Sequence, residues 1–496
     1  MALSGPQSRL EPLIDPLLLV LSVLVCLSVV GTRTAARWGV PALVIFVGLG
    51  MLAGSSGPGG IPFADYALAY RVGTLALAVI LFSGGLNTDA SRMRRALAPA
   101  LALSTVGVLT KMLTMAALAR WLTPLDWSSA LLLGAVLAPT DAAAVFSVLR
   151  RAGLPTRLRS LLEAESGTND PMSIYLTLAL ATALTGGEVS IPHLLLGVAA
   201  QLGLGLCVGL AGGWGLAWTL RRLRLEGSGL YPVFALAGGV GLFALTNLLG
   251  GNGFLAIYVT GLLLRYRKVA YLHEIQTALD TLAWGAQIGM FLLLGLLSFP
   301  DRLVGALGPS TLLAAGMVLL ARPLSVAVAV LPLWPFAQHR YSLRELTLVS
   351  WAGLKGAVPI ILATVPLLKG VPAGEQIFDV VFVVVIVGAL VQGTTTVPLA
   401  RALGLTHPEP PSAPVTLDLG GDAPAGSAMT RVWLEPGAPA IGRSVRELGL
   451  DEAVVLAAVA RGGEMLAPRG NLVLRQGDHV FVMTVDGAAI PQVLQA

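Results

Sequence analysis

One polar segment in an apolar part of the chain has the residue types of an ion site: LLEAESGTNDPMSIYLT, at residues 161–177. A carboxylate in hydrocarbon costs at least ~2.5 kcal/mol, so its presence there usually indicates ion or proton transport. Pro171 has no N–H, which leaves the carbonyl of Gly167 free to face a ligand. On a helix, four polar side chains would share one face, which predicts a small cation site: Ser166, Asp170, Ser173 and Thr177.

Two further segments have the pattern of interrupted membrane helices. In LLLGAVLAPTDAAAVFSVLR, Pro139 removes a helical hydrogen bond beside Thr140 and Asp141. In SWAGLKGAVPIILATV, Lys355 is surrounded by helix-breaking residues: Gly353, Gly356 and Pro359. One interrupted helix in each half of the chain is typical of inverted repeats with the ion site between them. The alternative is that both segments are proline-kinked helices with a packing role alone. Buried charge beside both breaks favours inverted repeats with an ion site instead.

The charged residues within these segments predict different roles. We expect Asp170 to bind the ion, whereas Asp141 either ligates it directly or caps the following half-helix. For Glu165 and Lys355 we favour a structural ion pair, because each needs a partner in low dielectric. Arg322 also needs a partner, which the sequence does not name.

Two other charged residues, Lys111 and Asp379, lie in apolar segments and are only weak evidence for an ion site. Each is interpreted as a side chain that snorkels towards an interface while its stem stays in the membrane. We therefore expect neither of them at the ion site.

Membrane helices must position these residues. The 496 residues are 55% hydrophobic and only 12% charged, with a mean hydropathy of +0.80, whereas soluble proteins carry about 25% charged residues. We predict an all-α polytopic membrane protein with about thirteen transmembrane helices in inverted repeats, two of them broken and crossing. The thirteen predicted spans are residues 13–31, 38–54, 68–86, 98–122, 129–149, 160–185, 194–220, 230–249, 253–264, 279–299, 304–331, 346–368 and 378–403.

The distribution of basic residues predicts the orientation. Loops after odd-numbered spans are rich in Arg and Lys, whereas the opposite side offers only Arg9, Arg120, Arg302 and Lys369. By the positive-inside rule the N-terminus is outside and the C-terminus is cytoplasmic. Since the positive charge follows membrane topology, the net charge of +5 does not indicate nucleic-acid binding.

Three regions follow from the composition: a transmembrane domain at residues 1–404, a Pro-rich linker at 405–426 and a cytoplasmic domain at 427–496. The last has short β-rich runs at 432–434, 454–460 and 479–485, separated by glycine turns, which predicts a small α+β unit.

The two cysteines, Cys26 and Cys207, have no disulfide or metal-ligand spacing. The sequence shows no nucleophile, base and orienting residue in a catalytic pattern, so it does not predict an enzyme.

The motifs APTDAAAVF, ESGTNDP and WAGLKGAVPI, in this order, resemble the monovalent cation:proton antiporter superfamily, and specifically its exchangers with an Asn-Asp pair in the sixth helix. The tail IGRSVRELGL…GDHVFV is similar to the RCK C-terminal (TrkA-C) module. Together they resemble NhaP-type Na⁺/H⁺ or K⁺/H⁺ exchangers. No nucleotide-binding RCK half precedes the tail, so the module is expected to sense another ligand or to brace a dimer.

The resemblance implies a homodimer in the lipid bilayer of a prokaryotic inner membrane, with alternating access and no cofactor. It implies that Asp170 binds either the cation or the proton, that Ser166 and the Thr140 carbonyl are ligands, and that Asp141 assists. Asn169 stands where electrogenic relatives carry a second Asp, which implies electroneutral exchange.

Two positions depart from the family pattern. The twelfth-helix basic residue is usually Arg, but here it is Lys355, which lacks the bidentate fork. The third helix usually carries an acid in F-(D/E)-x-G-L, but this chain has Ser83. Any support from Ser83 is therefore expected to be neutral.

The leading hypothesis is a cation/proton antiporter, with K⁺ favoured over Na⁺ because of the tail. The alternatives are a Na⁺/H⁺ antiporter without K⁺ transport and, from another class, a ligand-gated cation channel, because broken helices and buried acids can also line a pore.

Overall fold

The chain folds into two compact units, residues 1–406 and 407–496. The computed structural model describes residues 11–38, 40–88, 90–141, 154–187, 191–267, 269–335, 341–406, 416–418, 428–434, 438–451, 453–461, 464–484 and 492–494. The second half of the predicted fifth span, from residue 142, and most of the predicted linker lie outside these ranges.

The described residues of the first unit are mostly helical. Short polar side chains satisfy free N–H groups at several helix starts: Asp65 accepts from the Leu68 amide at 2.8 Å and Asn252 from the Leu255 amide at 3.1 Å. The helices are α1 Glu11–Trp38, α2 Ala42–Ala53, α3 Tyr66–Asn87, α4 Ala90–Ala102, α5 Val108–Leu122, α6 Trp127–Leu137, α7 Thr156–Leu184, α8 Ile191–Arg222, α9 Leu230–Leu248, α10 Gly253–Tyr266, α11 Leu272–Leu296, α12 Pro300–Gly316, α13 Arg322–Val330, α14 Leu343–Trp351, α15 Ala357–Leu368 and α16 Gly374–Ala402.

Eight helical stretches within the described ranges are long and apolar enough to cross a membrane: Leu18–Ala35, Tyr66–Asn87, Ala96–Leu122, Leu196–Arg222, Leu230–Leu248, Leu272–Leu296, Asp301–Leu333 and Gly374–Ala402. The shorter apolar helices include α6 and α15, which flank the two predicted breaks. The polar segment lies on α7, a continuous helix of 29 residues that contains Pro171.

Two π-helical turns interrupt long helices, at Leu103–Gly107 and Met317–Ala321. Each is followed directly by a helix that carries a buried cation, Lys111 in α5 and Arg322 in α13. Single π turns inside helices occur frequently at functional sites, because they re-aim the following side chains.

The second unit is built on a five-stranded antiparallel sheet in the order β1-β2-β5-β3-β4. One face covers a core that includes Leu434, Leu474 and Val480. The helical turns that the structure describes in this unit are short 3₁₀ segments, Val445–Leu448 and Gln492–Leu494. The strands are β1 Thr416–Asp418, β2 Ala428–Trp433, β3 Val454–Arg461, β4 Glu464–Leu466 and β5 His479–Thr484.

The predicted β-rich runs coincide with β2, β3 and β5. Within its described residues, the predicted linker contains strand β1, which pairs with β2 at the edge of the sheet. The sequence Val415-Thr416-Leu417-Asp418-Leu419 alternates apolar and polar residues, as a strand does, but the Pro-rich composition around it led to the prediction of a linker.

An ion pair anchors a turn of this sheet. Arg461 donates Nε to one oxygen of Asp478 and Nη2 to the other, both at 2.7 Å, and the Arg475 amide donates to the same carboxylate at 2.8 Å. Burial opposes ionisation of Asp478, but the hydrogen bonds from Arg461 and the Arg475 amide dominate and lower its pKa below the usual value.

Candidate cation site

The two predicted breaks meet in the structure. Helix α6 ends at Leu137, and α14 ends at Trp351 before α15 begins at Ala357. The backbone N–H of Asp141 donates to the Leu354 carbonyl at 2.9 Å, so the two extended segments touch. Irregular backbone at membrane depth needs such partners, because lipid offers none.

Lys355 closes the end of the opposite half-helix. Its Nζ donates to the Pro139 carbonyl at 2.5 Å and to the Ala138 carbonyl at 3.3 Å, and the side chain is buried. A cation there stabilises the partial negative charge of the α6 C-terminus and donates to two buried carbonyls.

Three predicted site residues form one hydrogen-bonded cluster between the break and α7. The Asn169 amide donates to Thr140 Oγ1 at 2.5 Å, and its Oδ1 accepts from the Thr140 N–H at 3.5 Å. The hydroxyls of Thr140 and Ser166 lie 3.3 Å apart. All three residues are buried, so the cluster presents neutral oxygen atoms inside the protein.

Asp170 lies directly after Asn169 on α7 and is only 3% exposed. Its Oδ1 has no hydrogen-bond partner among the described residues. Further along the predicted stripe, the hydroxyls of Ser173 and Thr177 are also buried without a partner there. Buried polar atoms are normally satisfied, so this face of α7 has the donors and acceptors of a site that an ion or water completes.

Glu165 has a different partner from the one expected. Both of its oxygens accept from Arg322, through Nη1 and, at 2.8 Å, through Nη2. Lys111 Nζ lies 3.9 Å from Glu165 Oε1. The expected Glu165–Lys355 ion pair is therefore corrected to a Glu165–Arg322 pair with Lys111 beside it.

The reason for this pairing is geometric. The guanidinium of Arg322 matches a carboxylate with two parallel N–H groups, and it also donates to the Val349 carbonyl at 3.2 Å. Lys111 is 2% exposed, so it does not snorkel as expected. Asp379, the other side chain in that group, accepts from Arg302 at 2.9 Å.

Asp141 lies against the start of α15. A Cβ placed on Gly356, which precedes that helix, would collide with the Asp141 carboxylate. Only glycine leaves room for this approach, which brings the carboxylate to the positive end of a helix dipole. The sequence left open direct ligation of the ion and capping of the half-helix after Asp141; that half-helix lies outside the described residues, and both roles stay predictions.

The neutral third-helix position has an acidic neighbour. Ser83 Oγ donates to Asp280 of α11 at 2.5 Å, and the Asn87 amide donates to the same oxygen at 2.7 Å. A carboxylate is thus present at Ser83 although α3 does not supply it. Sequence reasoning missed Asp280, because it stands at the very start of a predicted span.

The charge and ligand types fit a monovalent cation. Among the described residues there is no group of three or more His, Cys, Asp or Glu side chains that could hold a metal ion. Hydroxyl, carbonyl and carboxylate oxygens around one unpaired carboxylate are ligands of hard cations.

Comparison with known proteins decides the family. The sequence profile of "Sodium/hydrogen exchanger, transmembrane" matches residues 21–402. The chain belongs to the sodium/hydrogen exchanger family. The resemblance of the membrane part is therefore confirmed, and the chain is a transporter rather than an enzyme. A second profile, the TrkA-C domain, matches residues 429–489 of this exchanger, which confirms the resemblance of the tail.

Individual relatives agree with this assignment. The exchanger is 41% identical to "K(+)/H(+) antiporter NhaP2" of Shewanella baltica (strain OS223), over 95% of this chain and 81% of that protein. It is 37% identical to "K(+)/H(+) antiporter NhaP" of Alkalimonas amylolytica, over 94% and 80%.

A solved structure has the same fold. The sodium proton antiporter MjNhaP1 of Methanocaldococcus jannaschii superposes with a TM-score of 0.63 at 22% identity, covering 78% of this chain and 99% of that one. The membrane unit is therefore a mostly helical NhaP-like fold, followed by a small antiparallel sheet domain.

Proposed function

We propose that this protein exchanges K⁺ for H⁺ across a membrane, with Asp170 as the group that binds either ion. The observation that carries the proposal is the Asp170 carboxylate, which is buried, without a partner for Oδ1 among the described residues, and next to the cluster of Thr140, Ser166 and Asn169. K⁺ is favoured over Na⁺ because the relatives at 37% and 41% identity are named K⁺/H⁺ antiporters.

Competition at one carboxylate is sufficient for coupling. An ionised Asp170 binds a cation with help from the Ser166 hydroxyl and the Thr140 carbonyl, and a protonated Asp170 does not. A site whose charge is neutralised by a bound cation or proton can change its access from one side of the membrane to the other at low energetic cost. The empty, charged site cannot, so it stays open to one side. Each cycle then moves one cation one way and one proton the other.

Charge balance follows from the neighbours of Asp170. Asn169 is neutral and hydrogen-bonded to Thr140, and the Glu165 carboxylate is bound to Arg322. Glu163 of the same helix is paired with Arg159. Asp170 is then the carboxylate of α7 that changes charge during transport, so the exchange is electroneutral. Asp141 assists from the first interrupted segment, and Ser83 supports the cation through its hydrogen bond with Asp280.

The finer architecture belongs to the same proposal. Thirteen spans in inverted repeats, with the breaks at Thr140 and Lys355 crossing at mid-depth, provide a fixed site for alternating access. The protein is a homodimer in a prokaryotic inner membrane, with the N-terminus outside and residues 427–496 in the cytoplasm. The TrkA-C domain either regulates exchange by binding a ligand or braces the dimer.

Proteoliposomes with an internal pH dye test the site. Asp170→Asn keeps the size of the side chain but removes its charge, so K⁺-driven proton movement should be abolished. Asp301→Asn, at an exposed aspartate in the first turn of α12, is the matched control and should exchange normally. Retained exchange in Asp170→Asn, or K⁺ current without proton movement in the wild type, would refute the proposal.

A deletion tests the tail. Removal of residues 406–496 should change the K⁺ or pH dependence of exchange while leaving the Asp170 requirement intact. An identical profile for the truncated protein would show that the TrkA-C domain has no regulatory role.

A further inference from the structure

A second feature of the membrane unit lies outside the ion site. A cavity of about 340 Å³ opens where the end of α8 meets the end of α10. Its walls combine three guanidinium groups with two indole rings; the lining residues are Trp214, Ala217, Trp218, Arg221, Arg222 and Arg267. A volume of this size is at the lower end of the range of small-molecule sites.

The cavity is strongly cationic. Arg221, Arg222 and Arg267 are exposed, and no ion pair involving them occurs among the described residues. The guanidinium of Arg222 is instead held over the Trp218 ring, 4.2 Å from its centroid. These three arginines have no carboxylate partner among the described residues, and one of them is held by an aromatic ring, so they attract an anion. Phosphate suits the paired N–H groups of a guanidinium.

An apolar stripe continues from the cavity along the same face of α8. Leu206, Leu210, Trp214 and Trp218 are each about half-exposed and occur on successive turns that lead to Arg221. The opposite face of α8 packs on α9 and α10. A molecule that covers both the stripe and the cavity must therefore have an apolar part and an anionic end.

We propose that this surface binds an anionic phospholipid, with the headgroup phosphate at Arg221, Arg222 and Arg267 and an acyl chain along Leu210 and Trp214. Basic pockets between membrane helices on the cytoplasmic side suit such headgroups, and Trp is favoured at the interface. The assignment to the cytoplasmic leaflet rests on the proposed orientation, whereas the lipid site itself does not depend on which cation is exchanged.

Lipid-dependent thermal unfolding of the full-length protein in mild detergent tests the site. Cardiolipin or phosphatidylglycerol should raise Tm in the wild type, and phosphatidylcholine should not. In Arg221→Gln/Arg222→Gln/Arg267→Gln the apparent affinity for anionic lipid should fall roughly a hundredfold, because each arginine near an anionic lipid contributes about fivefold. Arg224→Gln/Arg344→Gln/Arg401→Gln removes the same charge at exposed positions outside the cavity and should retain the lipid effect.

Other outcomes would overturn the lipid assignment. An equal loss in both triple variants would mean unspecific surface attraction, and an arginine-dependent Tm rise with inorganic phosphate alone would mean a soluble anion site. A change of oligomeric state by native mass spectrometry in the cavity variant, with no bound lipid in the wild type, would instead make this face a contact between two copies.

A second measurement covers the case in which the cavity variant fails to fold. Brominated phosphatidylglycerol should quench tryptophan fluorescence more strongly than brominated phosphatidylcholine, and Trp214→Phe/Trp218→Phe should remove that difference. Trp121→Phe/Trp127→Phe, at exposed indoles near the other end of the membrane unit, should retain it. No headgroup preference in the wild type would refute the site.

Discussion

The ammonium of Lys355 lies 2.5 Å from the carbonyl oxygen of Pro139 and 3.3 Å from that of Ala138. A side chain from one interrupted helix thus closes the end of the other, so the two breaks hold one another in place. Because the Asp141 N–H also donates to the Leu354 carbonyl, the contact between the two breaks is made by backbone and side chain together. This arrangement assigns Lys355 to the scaffold of the site rather than to a pair with Glu165.

Substitution of Lys355 should therefore abolish exchange through loss of geometry. Lys355→Met removes the ammonium donor from two buried carbonyls, and loss of hydrogen bonds to a charged group costs about 1.5–3 kcal/mol. We expect a lower Tm and no cation-dependent proton movement in proteoliposomes. Lys369→Met, at an exposed lysine just after α15, should match the wild type; normal exchange in Lys355→Met would contradict the scaffold role.

The Glu165–Arg322 pair gives a ranked prediction for stability. Removing one partner of a buried ion pair costs about 3–5 kcal/mol, because the other charge stays buried. Glu165→Gln and Arg322→Met should each lower Tm strongly, and the double variant should lower it by less than their sum. Lys111→Met should be milder than Arg322→Met, since Lys111 Nζ is 3.9 Å from Glu165 and forms no hydrogen bond among the described residues. Strictly additive effects would rule out the coupling.

Gly356 should tolerate no side chain. A Cβ there would overlap the Asp141 carboxylate, so Gly356→Ala must displace either Asp141 or the start of α15. We expect loss of exchange in proteoliposomes even if the protein is produced in normal amounts. Gly308→Ala is the control, because no atom lies within 4 Å of its Cβ position. Full activity of Gly356→Ala would mean that exchange does not require the Asp141 carboxylate to lie against Gly356.

Asn169 provides a test of stoichiometry. Asn169→Asp adds a second titratable carboxylate beside Asp170 and replaces the amide that donates to Thr140. Exchange should become electrogenic, which solid-supported membrane electrophysiology detects as a K⁺-dependent current absent from the wild type. Asn169→Asp/Asp170→Asn should carry no current. A current in the wild type would contradict one-for-one exchange.

The sequence predicted those parts of the site that depend on local chemistry. Prolines and glycines near Thr140 and Lys355 mark the breaks whatever surrounds them, and helical spacing alone places Ser166 and Asp170 on one face. The partner of Glu165 could not be predicted in this way. Lys111 and Arg322 are buried cations on different helices and Lys355 is a buried cation in the break before α15. Only the packing of these segments decides which guanidinium or ammonium reaches the carboxylate.

The same limit explains Asp280. Its role depends on α11 lying beside α3, so that its carboxylate accepts from Ser83 and Asn87. No periodicity within either helix carries that information. The linker shows the converse case: the sequence at residues 415–419 alternates apolar and polar residues, and β1 pairs with β2, so this strand could have been predicted from local pattern.

Asp478 predicts how the stability of the TrkA-C domain depends on pH. Burial opposes its charge, but the hydrogen bonds from Arg461 and the Arg475 amide hold the pKa of Asp478 below its usual value in the folded state. A depressed pKa stabilises the fold above the unfolded-state value of about 3.9, and that contribution is lost as pH falls through the folded pKa. Thermal unfolding of the whole unit, residues 407–496, should therefore show a falling Tm below about pH 4. In Asp478→Asn the Tm should be lower at neutral pH and should depend less on acid, whereas an unchanged acid dependence would mean that other carboxylates control it.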